Sequence, residues 1–319
     1  MSDLSVDNIT AHTIQTNSSC PDPRTRYIFE RLVTHLHDFA RETRLSTPEW
    51  TAAITFLTQT GQKCTSTRQE FILLSDILGL SSLLDSIDHP SPPGTTQGTL
   101  LGPFHTHDAQ HLPAGAAISH DTSGKPLFVL CTVRATNGTP LKDVRVDIWH
   151  ADSTGLYDVQ YSQRDAPEGR GVLHSDASGR FWFSAIQPVP YPVPDDGPVG
   201  KLLTTLGRHQ WRPAHMHFIL AADGYERLVT TLYPRNDPYE KSDAVFGVKS
   251  SLVVDYGVVD EAMGAEFGVP TGTALLRHEF VLATVAQARE ERDRNSIEAL
   301  RKLGRSVKIV DGLPVPDVD

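Results

Sequence analysis

Between Asp22 and about Asp88, apolar residues recur with helical spacing. Ile28, Leu32, Leu36 and Phe39 stand at i, i+4, i+8 and i+11, which predicts a helix turning one stripe to a core. A second helix opens in STPEW, where Thr47 can cap, Pro48 suits the first turn and Glu49 faces the positive helix end. Trp50, Ile54 and Leu57 carry its apolar face. A third begins at TRQEF: Thr67 and Glu70 have capping-box spacing, and Phe71, Leu74, Ile77 and Leu78 repeat up to Gly79. Together they predict a small helical platform, preceded by about twenty polar residues that read as mobile.

Ser91 to Gly98, SPPGTTQG, breaks that texture. From there to about Ala283 short β-rich runs alternate with Gly, Pro, Asn and Asp: LFVLCTVRA, VRVDIWHA, GRFWFSAI, AHMHFILAA, ERLVTTLY, SSLVVDY and LLRHEFVLA. VRVDIW alternates as a half-buried strand should, and ATNGTP reads as the tight turn joining it to the strand before. Many short strands with turn signals predict a β-sandwich or barrel. Two long irregular insertions interrupt it, Gly155 to Gly179 and Gln187 to Trp211; loops of that length in a compact domain are functional or disordered. Beyond Ala283, QAREERDRNSIEALRKLGR predicts a charged surface helix with a stripe at Ile297, Leu300 and Leu303, then a Pro- and Asp-containing tail. The expected organisation is mainly β: a helical region over 1–95, a β-sandwich domain over 96–285, and a C-terminal helix and tail over 286–319.

A chain of 319 residues can bury a large core and fold alone. Its 29 Lys and Arg against 39 Asp and Glu give a net charge of −10, which opposes nucleic-acid binding and an anionic membrane surface and favours a small-molecule ligand. Cys20, Cys64 and Cys131 are too few and too scattered for a disulfide framework or a Cys-based zinc site. The start lacks the basic head and apolar run of a secretory signal, and no stretch approaches the roughly 20 apolar residues of a membrane helix. A cytoplasmic protein without membrane insertion is expected.

RPAHMHF, Arg212 to Phe218, carries two histidines two residues apart. In an extended strand His215 and His217 point to one face and Met216 to the other, the geometry of a metal site or, alternatively, of two unrelated residues on a solvated face. Each long insertion holds one tyrosine in a constrained setting, Tyr157 in GLYD and Tyr191 between two prolines in PVPYPVP. Together these four form a two-oxygen, two-nitrogen set. A phenol with a pKa of about 10 binds at neutral pH only beside a strongly Lewis-acidic cation, so ferric iron fits best and zinc poorly. A rival set is HTHDAQH, His105, His107 and His111, which on spacing could hold zinc or the iron of a cupin-like oxygenase, although Asp108, Pro113 and Gly115 suggest an irregular loop. A metal-free β-sandwich binding module, its tyrosines lining a groove, is the third reading.

The order of GTLLGPF, VRVDIWHADSTGLYD, YPVP and RPAHMHF resembles the intradiol ring-cleavage dioxygenases of the catechol and hydroxyquinol type, over about Thr67 to Ala283. The resemblance implies one non-haem Fe(III) per chain, held by Tyr157, Tyr191, His215 and His217 with water or hydroxide beside them. It implies that an aromatic diol and O2 react and that the ring opens between its hydroxyl-bearing carbons to a cis,cis-muconate. Tyr191 would leave the metal and accept a substrate proton, and Arg212 would stabilise developing negative charge. Leu73 and Asp76, three apart on a helix, and Leu101, Gly102, Pro103 and Phe104 would line the ring. The helical N-terminal part would form a homodimer interface that can hold a lipid. DPYEKSDAVFGVKSSLVVDY, Asp237 to Tyr256, looks more like hydroxyquinol enzymes than strict catechol ones. One position departs from the pattern: fourteen residues after His217, where the family commonly has a glutamine at the hydroxide site, stands Thr231, which either takes a lighter hydrogen-bonding role or leaves this branch without one, and is not counted as catalytic.

Overall fold

A computed structural model describes residues 3–65, 68–163, 166–310 and 313–317. The chain divides into two compact units, residues 1–62 with 293–319 and residues 63–292.

The first unit opens with helix α1 (Ile9–Asn17), inside the stretch whose polarity suggests mobility. Long-range hydrogen bonds order it where apolar burial could not. Arg41, on α2 (Pro23–Thr43), donates to the Thr10 hydroxyl at 2.5 Å and to the Val6 carbonyl at 2.8 Å, and His37 Nδ1 lies 3.0 Å from Thr10 Oγ1. Helix α3 (Thr47–Lys63) is capped by Ser46 and not by Thr47. Ser46 Oγ accepts from the Glu49 amide at 3.4 Å and the Glu49 carboxylate accepts from the Ser46 amide at 2.8 Å; a cap at Thr47 would have put Trp50, with no acceptor, in the reciprocal position. The apolar stripes are not buried within this unit: Ile28, Leu32, Leu36 and Phe39 are 45–56% exposed, and Trp50, Ile54 and Leu57 43–55%.

In the second unit the helix expected from Thr67 begins at Glu70 with Gln69 in the cap position; Thr67 itself lies outside the described residues. Gly79, at φ +76, splits the pattern into α4 (Glu70–Ile77) and α5 (Leu80–Asp88). Ile77 is buried while Phe71 and Leu78 remain exposed. The strands follow: β1 (Pro126–Ala135), β2 (Arg145–Trp149), β3 (Arg170–His174), β4 (Arg180–Ile186), β5 (Tyr191–Pro192), β6 (Trp211–Arg212), β7 (Met216–Ala221), β8 (Leu228–Pro234), β9 (Val253–Val254), β10 (Tyr256–Val258) and β11 (Ala274–Leu282). Helix α6 (Pro198–Thr205) lies between β5 and β6, and α7 (Glu261–Phe267) between β10 and β11. One sheet has the order β10-β11-β1-β4 and the other β3-β2-β7-β8-β9. Val129, Cys131 and Val133 of β1, Phe181 and Phe183 of β4 and Phe280 of β11 share a buried core with Val146 and Ile148 of β2 and Phe218 and Leu220 of β7, which makes the pair a sandwich.

Two expectations change here. ATNGTP is a turn, yet β1 and β2 do not pair: the turn folds back on β1 through the Leu141 amide to the Val133 carbonyl, and the chain then crosses to the other sheet. Nor are the insertions irregular throughout. The first contains β3, hydrogen-bonded to β2, and the second contains α6 and the β5–β6 ladder. At the C-terminus α8 (Val285–Lys302) is followed by the expected Pro- and Asp-containing tail, in which β12 (Val307–Val310) and β13 (Leu313–Pro316) pair antiparallel, and Leu303 lies past the helix, 73% exposed. No helix among the described residues is long and apolar enough to cross a membrane.

Candidate metal centre

The two insertions and the start of β7 converge. Tyr157 Oη lies 3.4 Å from Tyr191 Oη and 3.3 Å from His215 Nε2, and Tyr191 Oη lies 3.3 Å from that same nitrogen. Donor atoms bound at about 2.1 Å to one ion with near-tetrahedral angles are about 3.4 Å apart, so this triangle has the dimensions of a ligand set. The His217 ring completes the group, centred 4.7 Å from that of His215 and edge-on to it. All four side chains are buried.

Each arm has a local cause. Tyr157 follows a turn set by Asp152, whose carboxylate accepts from the Thr154 and Leu156 amides, and the Gln160 side chain accepts from the Tyr157 amide at 2.8 Å. Gly155 in that turn has φ +87, and a Cβ there would sit 2.9 Å from Tyr191 Cβ; only glycine lets the two insertions touch. Tyr191 stands opposite Arg212 in the β5–β6 ladder. His217 stands opposite Trp149 of β2 and Thr231 of β8, with the indole stacked on its ring at 4.7 Å and 3°.

The electrostatics suit a cation with anionic oxygen ligands. Burial, then the Arg212 charge, hold His215 well below the ordinary histidine range; burial, then His215 and Arg212, do the same to His217, so both imidazoles are neutral and offer lone pairs. Burial also pushes the Tyr157 hydroxyl well above the ordinary phenol range, so its phenolate needs a bound cation. The orienting bonds fit too: His215 Nδ1 meets the Pro213 carbonyl at 2.7 Å and His217 Nδ1 meets the Thr231 hydroxyl at 3.0 Å, leaving each Nε2 for the ion. The donor set therefore fits ferric iron.

Arg212 reaches into the cluster, with Nη1 3.4 Å from Tyr191 Oη and 3.2 Å from His215 Nε2. Its burial opposes the charge, but Asp243 outweighs that and keeps the guanidinium protonated, through contacts of 3.1 and 3.3 Å. Asp243, held in turn by the Val245 and Gly247 amides, escaped the sequence reading, whereas Thr231, singled out there, does make a hydrogen bond, to His217. The signal for Asp243 was the acidic residue in SDAVFG; what hid it was the 31-residue separation from Arg212.

The pocket residues scatter more. Phe104 stacks on the Tyr157 ring at 4.5 Å, and Gly102, at φ +73, would place a Cβ 3.6 Å from His217 Nε2, so its lack of a side chain keeps that edge open. Asp76 is partly buried and within electrostatic reach of Arg212 and Asp243. Burial raises its pKa, against the opposing pull of Ser81 and Arg212. Leu73 is partly buried one turn earlier on α4, and Pro103 is exposed. Leu101 is 38% exposed and lines a cavity of about 510 Å³ with Asp85, Leu228 and Arg289, to which none of the four donors contributes.

Buried Arg170 ties the Tyr157 arm to the Phe104 segment. It pairs with Asp158 through Nε at 2.8 Å and donates to the Phe104 carbonyl at 3.1 Å and the Thr106 hydroxyl at 2.9 Å. Of the rival histidines, His105 and exposed His107 stay edge-on to each other at 5.1 Å, but His105 Nε2 meets Asp147 at 3.3 Å, and exposed His111 leaves them to stack on His174 at 6.0 Å. Among the described residues no group of three His, Cys, Asp or Glu side chains could hold a metal.

Comparison with known proteins points the same way. Residues 100–284 match the family model described as Dioxygenase, and residues 22–96 that described as Catechol dioxygenase N terminus. An intradiol ring-cleavage dioxygenase of Aspergillus niger is 62% identical over 319 residues, covering 100% of this chain and 97% of the relative. A 6-chlorohydroxyquinol 1,2-dioxygenase of Cupriavidus pinatubonensis is 48% identical over 80% of this chain and 93% of its own length. Among solved structures, hydroxyquinol 1,2-dioxygenase from Pseudomonas putida DLL-E4 superposes with a TM-score of 0.83 at 40% identity, covering 88% of this chain and 98% of that one.

Proposed function

The chain belongs to the intradiol ring-cleavage dioxygenases, and from that premise we propose that Tyr157, Tyr191, His215 and His217 hold one Fe(III) per chain and that the diol it opens is hydroxyquinol ahead of catechol. The family is non-haem iron dependent. The observation that carries the reading is the buried triangle of two phenol oxygens and one imidazole nitrogen at 3.3–3.4 Å, with a guanidinium at its edge.

When bound, the ferric ion supplies Lewis acidity that ionises the diol and the electron exchange that makes it reactive toward O2. The protein's residues do the rest. Tyr191 Oη, beside Arg212 Nη1, takes a substrate proton, while Tyr157, His215 and His217 stay in place. Arg212, kept charged by Asp243, stabilises negative charge as it builds on the opening ring. Phe104 and Gly102 bound the space beside Tyr157 and His217, and the Asp76 carboxylate supplies an acceptor for the third hydroxyl that distinguishes hydroxyquinol from catechol. The hydroxyquinol and chlorohydroxyquinol activities named for the relatives support that preference. Oxygen uptake by the iron-loaded protein, with both diols side by side and product spectra recorded, tests it. Faster uptake with hydroxyquinol and a muconate-type product are expected; uptake with neither diol contradicts the reading.

The exposed stripes of α2 and α3 support a homodimer through the helical unit, with a lipid among the facing apolar side chains. Sedimentation and native mass spectrometry test both parts. Three free cysteines, Cys20, Cys64 and Cys131, support a cytoplasmic location.

A further inference from the structure

The two histidines are anchored by different kinds of partner. The Pro213 carbonyl can only accept, so the bond of 2.7 Å requires the proton on His215 Nδ1 and leaves the lone pair on Nε2. His217 Nδ1 instead meets the Thr231 hydroxyl at 3.0 Å, a group able to donate or accept. Thr231 is placed there by register, directly opposite His217 across the β7–β8 ladder, and it is 0% exposed. Water therefore cannot substitute for it. The other constraints on the ring leave one freedom open. Trp149, stacked at 3°, fixes the plane of the imidazole, and Gly102 leaves its Nε2 edge uncovered, but neither decides which edge of the ring turns toward the site.

We propose that Thr231 is a positioning residue: by holding His217 Nδ1 in a hydrogen bond it fixes the ring rotation that turns Nε2 toward the ferric ion. This rests on the iron reading above. A short β-branched side chain has one χ angle and few rotamers, which keeps its hydroxyl against the ring. His217 thus depends on one side-chain hydroxyl, while His215 depends on backbone.

The test uses the full chain as wild type, Thr231→Val and Thr231→Ser, each loaded with Fe(III) and challenged with a graded chelator while the visible phenolate-to-iron band is followed. Valine keeps the volume and removes the hydroxyl; serine keeps the hydroxyl. The expected result is iron held about ten- to a hundredfold more weakly in Thr231→Val, and near-wild-type retention in Thr231→Ser. Equal retention in wild type and Thr231→Val overturns the proposal and leaves the iron reading intact. Equal loss in both variants also overturns it, since packing and not the hydroxyl would then be responsible. A wild type that binds iron without a phenolate band removes the iron reading and the proposal with it.

Discussion

The two insertions each deliver a tyrosine to the same point but hold it by opposite means. Tyr157 is 0% exposed, stacked against Phe104, bonded through its amide to Gln160, and followed by Asp158, which forms a buried ion pair with Arg170. Arg170 also grips the Phe104 carbonyl, so ligand and pocket wall are fixed as one piece. Tyr191 lies on a two-residue strand between Pro190 and Pro192, which donate no ladder bonds, and it is 6% exposed. Its hydroxyl faces Arg212, a donor that stabilises a phenolate on or off the metal. On the proposed iron reading, the difference separates the ligand that stays from the one that leaves to take a proton.

Removing the fixed ligand should have the largest effect. Tyr157→Phe is expected to bind iron at least about a hundredfold more weakly and to lose activity with it; full activity with intact iron would rule that ligand out. Tyr191→Phe should keep its iron, with an altered visible band, but lose about a hundred- to ten-thousandfold in kcat, the size of a general-base contribution. If the two variants lose iron equally, the comparison fails. Gly155→Ala presses a Cβ to within 2.9 Å of Tyr191 Cβ at φ +87, for an expected stability loss of about 1–3 kcal/mol and a reduced kcat with iron retained. Thermal melts and steady-state kinetics check both parts.

The smallest effect lies at Asp76. Asp76→Asn should lower the preference for hydroxyquinol over catechol about tenfold, the size of one hydrogen bond to a charged group. Burial raises its folded pKa above the ordinary carboxylate range, so stability that is present while the group is protonated is lost as pH rises through the folded pKa. The asparagine variant, with no charge to bury, should therefore gain melting temperature relative to wild type as pH rises above the ordinary carboxylate range. An unchanged difference across that range would show that Asp76 is not strained.

The sequence made some of this legible and hid the rest for physical reasons. The runs that became β1, β4 and β11 were readable because apolar residues alternate along them, whereas β2, expected to be half-buried, and β7 are buried on both faces and were readable by their apolar and β-branched content. Strand β3 was not: RGVLH opens with a charged residue, and its Gly171 is pressed against Leu112 and Ile118 in a space only glycine fits. The helical stripes showed which faces are apolar but not whether one chain buries them. At the site, residue type and order brought Tyr157, Tyr191, His215 and His217 together before any coordinates did. Asp243, Thr231 and Arg170 could not be read that way, because their roles depend on cross-strand register and on loops that meet only in the fold.

The most direct measurement is a titration of the metal-free protein with Fe(III), followed in visible light for wild type and Tyr157→Phe together. A phenolate-to-iron band that grows with added iron, saturates at one ion per chain and is lost in the variant is the predicted result. Iron uptake without colour, or a band unchanged by the loss of Tyr157, would contradict it.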